Sequence, residues 1–471
     1  MSITYFNGSN IVQQREIDEL TRARKIRDAW LAYQGDTPKP LKNKPGQVDD
    51  NVRLNMARLS VDTTAFYLFG KDITFEIADS ERDTTGVDDT GAAEPAADVE
   101  TPADVWLENV WTANKQQTFL LKVGLNGAVC GHAFIKMVEP RAPRRFPRLI
   151  NLDPACMRVD FLPDDIEEAY RYVYEYSAND PVSGRPLNYR QTTERDGDHW
   201  IVIDEESSPD SQRWRETGRN VWPFAWPPVI DCQNLPAPNE FWGVSDLETD
   251  VQELNTSINF VLSNTNRILR FHAHPQTIGK GFDAKQLRTG PDETIVLPSA
   301  DADLWNLEMQ SDLGSSLAFY EKVKAGYHET TQVPEVTTGK FDGIGALSGL
   351  ALGILYGPLL RRTQVKRRTY GDLLAELNRR LLAFGGFGEE NEVATHWPEL
   401  LPSDPQGEAQ TLQTHQSMGI VSRETIQAKL GYNAETEGPK IAAEKAQAVQ
   451  QAQAAVSAMP QTMQEDEPPT F

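Results

Sequence analysis

The densest cationic run of the chain is Arg361, Arg362, Lys366, Arg367 and Arg368, and Arg379 and Arg380 follow further along. From 361 to 380 there are seven bases and two acids. Guanidinium and ammonium groups at this density suit carboxylates or phosphates. At about 100° per residue the five bases of the first run spread around much of a helix, so they form no single stripe for reading nucleic acid. Two partners remain open from sequence: acids of a neighbouring chain or of the acidic C-terminal region, and phosphate. Other candidates are weaker. "GLNGAVCG" (Gly124 to Gly131) and "GIGALSG" (Gly343 to Gly349) are glycine-rich, but neither carries the G-K-[ST] of a phosphate loop. His272 and His274 lack a third metal ligand, and Ser348 is in no G-x-S-x-G elbow. No carboxylate pair stands out among 69 acids. The sequence offers no positive reason to expect an enzyme, a metal site or a cofactor.

Composition narrows the partners. The chain has 471 residues and a formal net charge of -23, with 39% hydrophobic and 24% charged residues. That length suggests several packed units. Strong acidity argues against a surface built to grip phosphate, although negative walls suit DNA that must pass without sticking. The uncharged stretch from Ala346 to Leu360 has only 15 residues, including three glycines and Pro358, whereas a bilayer span needs about twenty. No basic-then-apolar leader is read at the N-terminus. Cys130, Cys156 and Cys232 are widely spaced, with no CxxC, and read as reduced thiols.

The elements that must position these residues are of mixed α+β type. Glu16 to Tyr33 reads as a charged amphipathic helix, and a second helix runs through Leu54, Ala57 and Val61 to a stop at Gly70. "ITFEI" then alternates as a strand does. The acidic stretch 79–108 has too few apolar residues for a core and reads as a flexible insertion. From Leu121 to Ile230 the signals are mostly β. A long helix is expected from Ser245, where Ser245 and Glu248 have capping-box spacing. Turns and short strands interrupt, and a helix returns over 315–330. A glycine-rich loop leads into a very long helix, about 348–384, with Pro358 inside it. An interior proline costs about 3 kcal/mol and predicts a kink there. Asp404 and Pro405 open one of the last helices, Gly419 closes it, and Ser422 opens another.

In this order the chain resembles the portal proteins of tailed bacteriophages, of the siphophage type. The resemblance rests on "NVRLNMARLSVDTTAFYLFGKDITF", "GVSDLETDVQELNTSIN", "QVPEVTTGKF" followed by "LSGLALGILYGPLL", and "MGIVSRETI". It implies a wing over 1–240, stem helices at 241–272 and 313–333, and a clip at 273–312. A tunnel loop and long kinked helix at 334–388, a crown at 389–455 and a flexible tail at 456–471 complete it. It implies a ring of about twelve copies at one capsid vertex, with no catalysis of its own and no membrane partner. Such a ring would carry roughly -276 charges, a field that disfavours tight phosphate binding. Double-stranded DNA would pass Thr337, Thr338, Gly339, Lys340, Phe341, Asp342, Gly343 and Gly345 of the tunnel loop, without sequence specificity. Terminase and head-completion proteins would dock on the clip, with Lys280, Phe282 and Trp305 as candidates, and capsid or scaffolding protein would surround the ring. The expected location is the virion, and the host cytoplasm during assembly. The remaining readings are another head–tail adaptor ring, or a nucleotide-dependent enzyme using the Gly343 loop.

Overall fold

The computed structural model describes residues 11–78, 101–162, 164–211, 213–273, 276–281, 301–307, 313–335, 349–400, 405–422, 425–427 and 437–447. Helix α1 (Ile11–Gln34) leads through a long loop to α2 (Met56–Phe69). The Asn55 side chain accepts from the Arg58 N–H at 2.9 Å and starts α2; Gly70 closes it by donating to the Phe66 carbonyl at 2.7 Å. Strand β1 (Thr74–Ile77) follows, where alternation predicted it. The acidic stretch ends earlier than composition suggested. Helix α3 (Pro102–Ala113) begins inside it, fixed by a capping box between Thr101 and Asp104 and by Pro102 in its first turn. Leu107, Val110 and Trp111 of α3 are core residues, so 102–108 is structural, not flexible insertion.

A second correction concerns the β signals expected from Leu121, which include "GLNGAVCG". It is helical, part of α4 (Gln116–Cys130), and only Gly131 behind it has a left-handed backbone, at φ 83°. The glycines there serve close packing. A Cβ at Gly124 would meet Phe69 at 2.8 Å, and one at Gly127 would overlap the Tyr370 hydroxyl. The glycine pair three residues apart is thus the tight face of a helix.

The β content is antiparallel. Strand β2 (His132–Val138) lies between β3 (Arg148–Leu152) and, later in the chain, Val229–Gln233. A five-stranded meander runs through β4 (Met157–Phe161), β5 (Ala169–Asn179), β6 (Pro186–Asp196), β7 (His199–Ser207) and β8 (Arg215–Trp222), and Val229–Gln233 is β9. Two prolines, Pro227 and Pro228, directly precede β9, which sits on a sheet edge as a proline-flanked strand should.

Helix α5 (Thr249–Ala273), strands β10 (Gln276–Lys280) and β11 (Asp303–Leu307), and α6 (Leu313–Thr331) form the helix–hairpin–helix plan that the sequence predicted. Then comes α7 (Gly349–Phe384), whose second half is the spine of the main core. Tyr370, Leu373, Leu374, Leu377, Leu381 and Leu382 all lie buried among Trp111, Phe134 and the sheet residues. Strand β12 (Val393–His396) pairs with β1, Thr74 opposite His396. Residues up to Leu400 therefore belong to the first compact unit, although the sequence reading placed a crown from 389. The second unit, from Leu401 to Phe471, contains α8 (Pro405–Ser417), closed by Gly419 at φ 70°. In the same unit the Ser422 hydroxyl accepts from the Thr425 N–H at 3.1 Å.

Candidate functional site

The basic run of α7 divides by direction. Lys366 lies on the same side as Leu359, Thr363, Tyr370 and Leu373, all of them buried. A lysine on that stripe needs a buried partner, and Asp246, just ahead of α5, supplies it. Lys366 Nζ lies 2.5 Å from Asp246 Oδ2, and Arg362 donates to Oδ1 at 3.0 Å. Thr64 of α2 donates to Oδ2 at 2.6 Å and Asn234 to Oδ1 at 3.0 Å, so four donors saturate the carboxylate. Tyr370 donates to Asn234 at 3.3 Å and closes the network. Burial alone would push the Asp246 carboxyl up, but the Lys366 and Arg362 charges overcome it and hold it well below the usual carboxylate range. The junction joins α2, the segment after β9, the approach to α5, and α7. Close by, Ser60 of α2 shares a 2.9 Å hydrogen bond with Tyr327 of α6.

This junction also corrects the start of α5. The Glu248 carboxylate accepts from the Ser245 N–H at 3.3 Å, half of the expected capping box. The Ser245 hydroxyl instead accepts from Leu247 and donates to the Val129 carbonyl at 2.7 Å. The Asp246 N–H donates to the Ala128 carbonyl at 2.8 Å. These long-range bonds hold 245–248 out of the helix, and α5 begins at Thr249.

A second device fixes α5 along its length. The segment 50–56, outside any sheet, is bonded at every second residue to polar side chains every third or fourth residue of α5. Asn255 accepts from the Met56 N–H at 3.2 Å. Asn259 accepts from the Leu54 N–H at 2.7 Å and donates to its carbonyl at 3.2 Å. Ser263 accepts from the Val52 N–H at 2.9 Å and donates to its carbonyl at 3.1 Å. Asn266 donates to the Asp50 carbonyl at 3.0 Å, and Arg270 grips the Asp50 carboxylate with two bonds of 2.6 and 2.7 Å. The match is metric. Two extended residues advance about 6.6 Å and four helical residues about 6 Å, so a helix can serve an extended chain as a sheet edge would. Asn and Ser at a period of four on one side of α5 were the sequence signal for this, and it was not read.

The remaining bases have other surroundings. Arg367 donates to the Pro398 carbonyl at 2.8 Å and lies over the Trp397 ring. Arg361 and Arg368, seven apart and on one face of the helix, are exposed. Pro358 lies in the third turn of α7, and its missing N–H leaves the Ile354 carbonyl without the usual helical bond. Just ahead of it Ile354 is 70% exposed, and nothing lies within 4 Å of a Cβ built on Gly353 or Gly357. Tyr356 reaches back, stacking on Tyr67 with centroids 6.2 Å apart. The tunnel-loop residues Thr337, Thr338, Gly339, Lys340, Phe341, Asp342, Gly343 and Gly345, with Phe282 of the clip, lie outside the described residues. Lys280 and Trp305 end and centre the β10–β11 pair, and both are exposed. The three cysteines are free thiols, and burial pushes those of Cys130 and Cys232 up. Among the described residues no cluster of His, Cys, Asp and Glu could hold a metal ion, and no helix is long and apolar enough to cross a membrane.

A family model described as phage portal protein, SPP1 Gp6-like, matches residues 9–451. No curated protein matches the chain. Among solved structures, a chain of the "Neck of native GTA particle computed with C12 symmetry" is similar at a TM-score of 0.44 and 14% identity, over 86% of this chain and 94% of that one.

Proposed function

Because the chain belongs to the phage portal protein family, SPP1 Gp6-like, we propose that it forms a ring of about twelve copies at one capsid vertex and serves as the conduit for DNA. The observation that carries this reading is the family match over 9–451, nearly the whole chain. In it the α5–β10–β11–α6 module is the stem and clip. Residues 334–348 are the tunnel loop, and the first turns of α7 stand where copies crowd the channel. Glycines at 353 and 357 suit such crowding, because small residues let backbones approach closely. Exposed Lys280 and Trp305, with Phe282, form the docking surface for the packaging terminase and for head-completion proteins. The role is structural: positioning and passage, with the net charge of -23 per copy keeping DNA from adhering. The chain assembles in the host cytoplasm, with capsid or scaffolding protein, and ends in the virion.

Native mass spectrometry and negative-stain imaging of the purified protein test this directly. Closed rings of about a dozen copies with an open centre are expected. A small dimer carrying bound nucleotide would overturn the reading. Within assembled rings, Lys340→Ala with Asp342→Ala is expected to change DNA packaging or retention without dissolving the ring. Unchanged packaging would remove the loop from the DNA path.

A further inference from the structure

Arg141, Arg144, Arg145 and Arg148 form a second basic run, with Glu139 as the one acid between 139 and 148. The run occupies the β2–β3 loop and the first residue of β3. All four side chains are exposed, and none makes an ion pair or hydrogen bond among the described residues. The neighbouring meander behaves otherwise: Arg171, Arg190, Arg195 and Arg219 each pair with an Asp or Glu. The loop itself is firmly held. The Arg144 N–H donates to the Arg141 carbonyl at 2.9 Å, and prolines at 140, 143 and 147 restrict the backbone. At its base Asn114, which caps α3, donates to the Pro147 carbonyl at 2.9 Å and accepts from the Leu149 N–H at 2.9 Å. Phe146 turns inward onto Trp106 of α3, with ring centroids 5.2 Å apart. The aromatic side chain of the loop thus faces the core, and no large apolar side chain between 139 and 148 is exposed.

We propose that this loop contacts the phosphate backbone of double-stranded DNA through Arg141, Arg144, Arg145 and Arg148, without reading sequence. The inference rests on the DNA-conduit reading above and deepens it by giving DNA a point of contact outside the tunnel loop. Three features favour phosphate over a protein partner. The patch is cationic and has no apolar centre, whereas protein interfaces are built around one and nucleic-acid interfaces are strongly positive. Its charge is dense, with four guanidinium groups on eight residues, and a duplex offers one negative charge per about 1.7 Å of axis to meet it. All four bases are arginine, whose fork spans two phosphate oxygens, and a loop already held in place loses little freedom on binding. The rest of the chain limits the strength of the contact. At a net charge of -23 the surroundings repel phosphate, so DNA is held only where the loop touches it, and salt releases it. A foothold of this kind steadies DNA without stopping its passage.

The test is fluorescence anisotropy of a labelled mixed-sequence duplex of about 30 base pairs, titrated with the purified full chain between about 50 and 200 mM salt. The triple variant Arg141→Ala, Arg144→Ala, Arg145→Ala is expected to bind at least about tenfold more weakly at the low-salt end. Its plot of log affinity against log salt is expected to be shallower by about 2 to 3, since each phosphate contact adds about 0.9 to the slope. Its melting temperature is expected to stay as in wild type, because none of the three side chains bonds to the rest of the described fold. Lysine at the same three positions is expected to keep most of the affinity, as a phosphate accepts a point charge. A control triple, Arg24→Ala, Arg53→Ala, Arg185→Ala, removes the same charge from other exposed positions and is expected to bind like wild type. Equal binding by wild type and the loop variant overturns the proposal. So does an equal loss in the control, which would assign the effect to net charge. Poly-glutamate that displaces the duplex from wild type at equal charge would assign the loop to carboxylates of a protein partner, and overturns it too. Negative stain of the same samples scores ring formation. Rings without loop-dependent binding overturn the loop alone, and loop-dependent binding without rings overturns the ring alone.

Discussion

From Leu359 onward α7 is buried along one side, while just before Pro358 it exposes Ile354 and Leu355. The same helix thus has an anchored end and a free end. The anchored end is held by a leucine stripe, by Trp111 donating to Asn378 at 2.8 Å, and by the Lys366–Asp246 pair. Around Ile354, which lies in solvent, the described contact is the Tyr356–Tyr67 stack to α2. Pro358 lies at the boundary, between the exposed Ile354 and the buried Leu359. The difference teaches a division of labour. A buried charge pair fixes where the helix is held, and small residues with a proline leave the rest of it to be placed by what it meets.

The contrast can be broken most severely at the junction. Asp246→Ala leaves Lys366 buried without its counter-charge and is expected to cost about 3–5 kcal/mol, read from urea unfolding. A loss under ~1 kcal/mol would mean that water reaches Lys366 and that the end is not anchored by charge. Leu377→Ala, on the anchored half, is expected to cost about 2–5 kcal/mol by leaving a cavity in the core. Asn259→Ala, which unzips one rung between α5 and segment 50–56, is expected to cost about 1–3 kcal/mol and to speed amide exchange at Leu54. The junction also sets an acid limb. The Asp246 carboxyl is depressed in the folded state, so its contribution is complete above the unfolded value, near 4, and is lost as pH falls through the folded value. Wild type should therefore lose stability below about pH 4 more steeply than Asp246→Asn. At the free end Ile354→Ala is expected to move the stability of the unassembled chain by less than ~0.5 kcal/mol. A large effect there would show that α7 is packed along its whole length.

Periodicity and punctuation made much of the fold legible. The end of α2 at Gly70 was legible, and so was strand β1, whereas Leu54, expected inside that helix, lies before its Asn55 cap and is held by Asn259 of α5. The helix–hairpin–helix order and the length of α7 follow from apolar spacing. The same local logic misread α4, because the β signals that begin at Leu121 hid a helix running to Cys130, whose Gly124 and Gly127 serve close approach in the packed fold. It misread the acidic boundary too, because three apolar residues of α3 outweigh the charges beside them once a core exists to receive them.

What the sequence determined by itself is what neighbours along the chain can decide: where helices start and stop, which face is apolar, and how much charge the protein carries. It also showed that a basic run existed. Only the tertiary structure decided what that run does, since Asp246 is 120 residues from Lys366 and is one acid among 69. Coulombic choice depends on distance and burial in space. Both are properties of the assembled core, and no spacing along the chain records them.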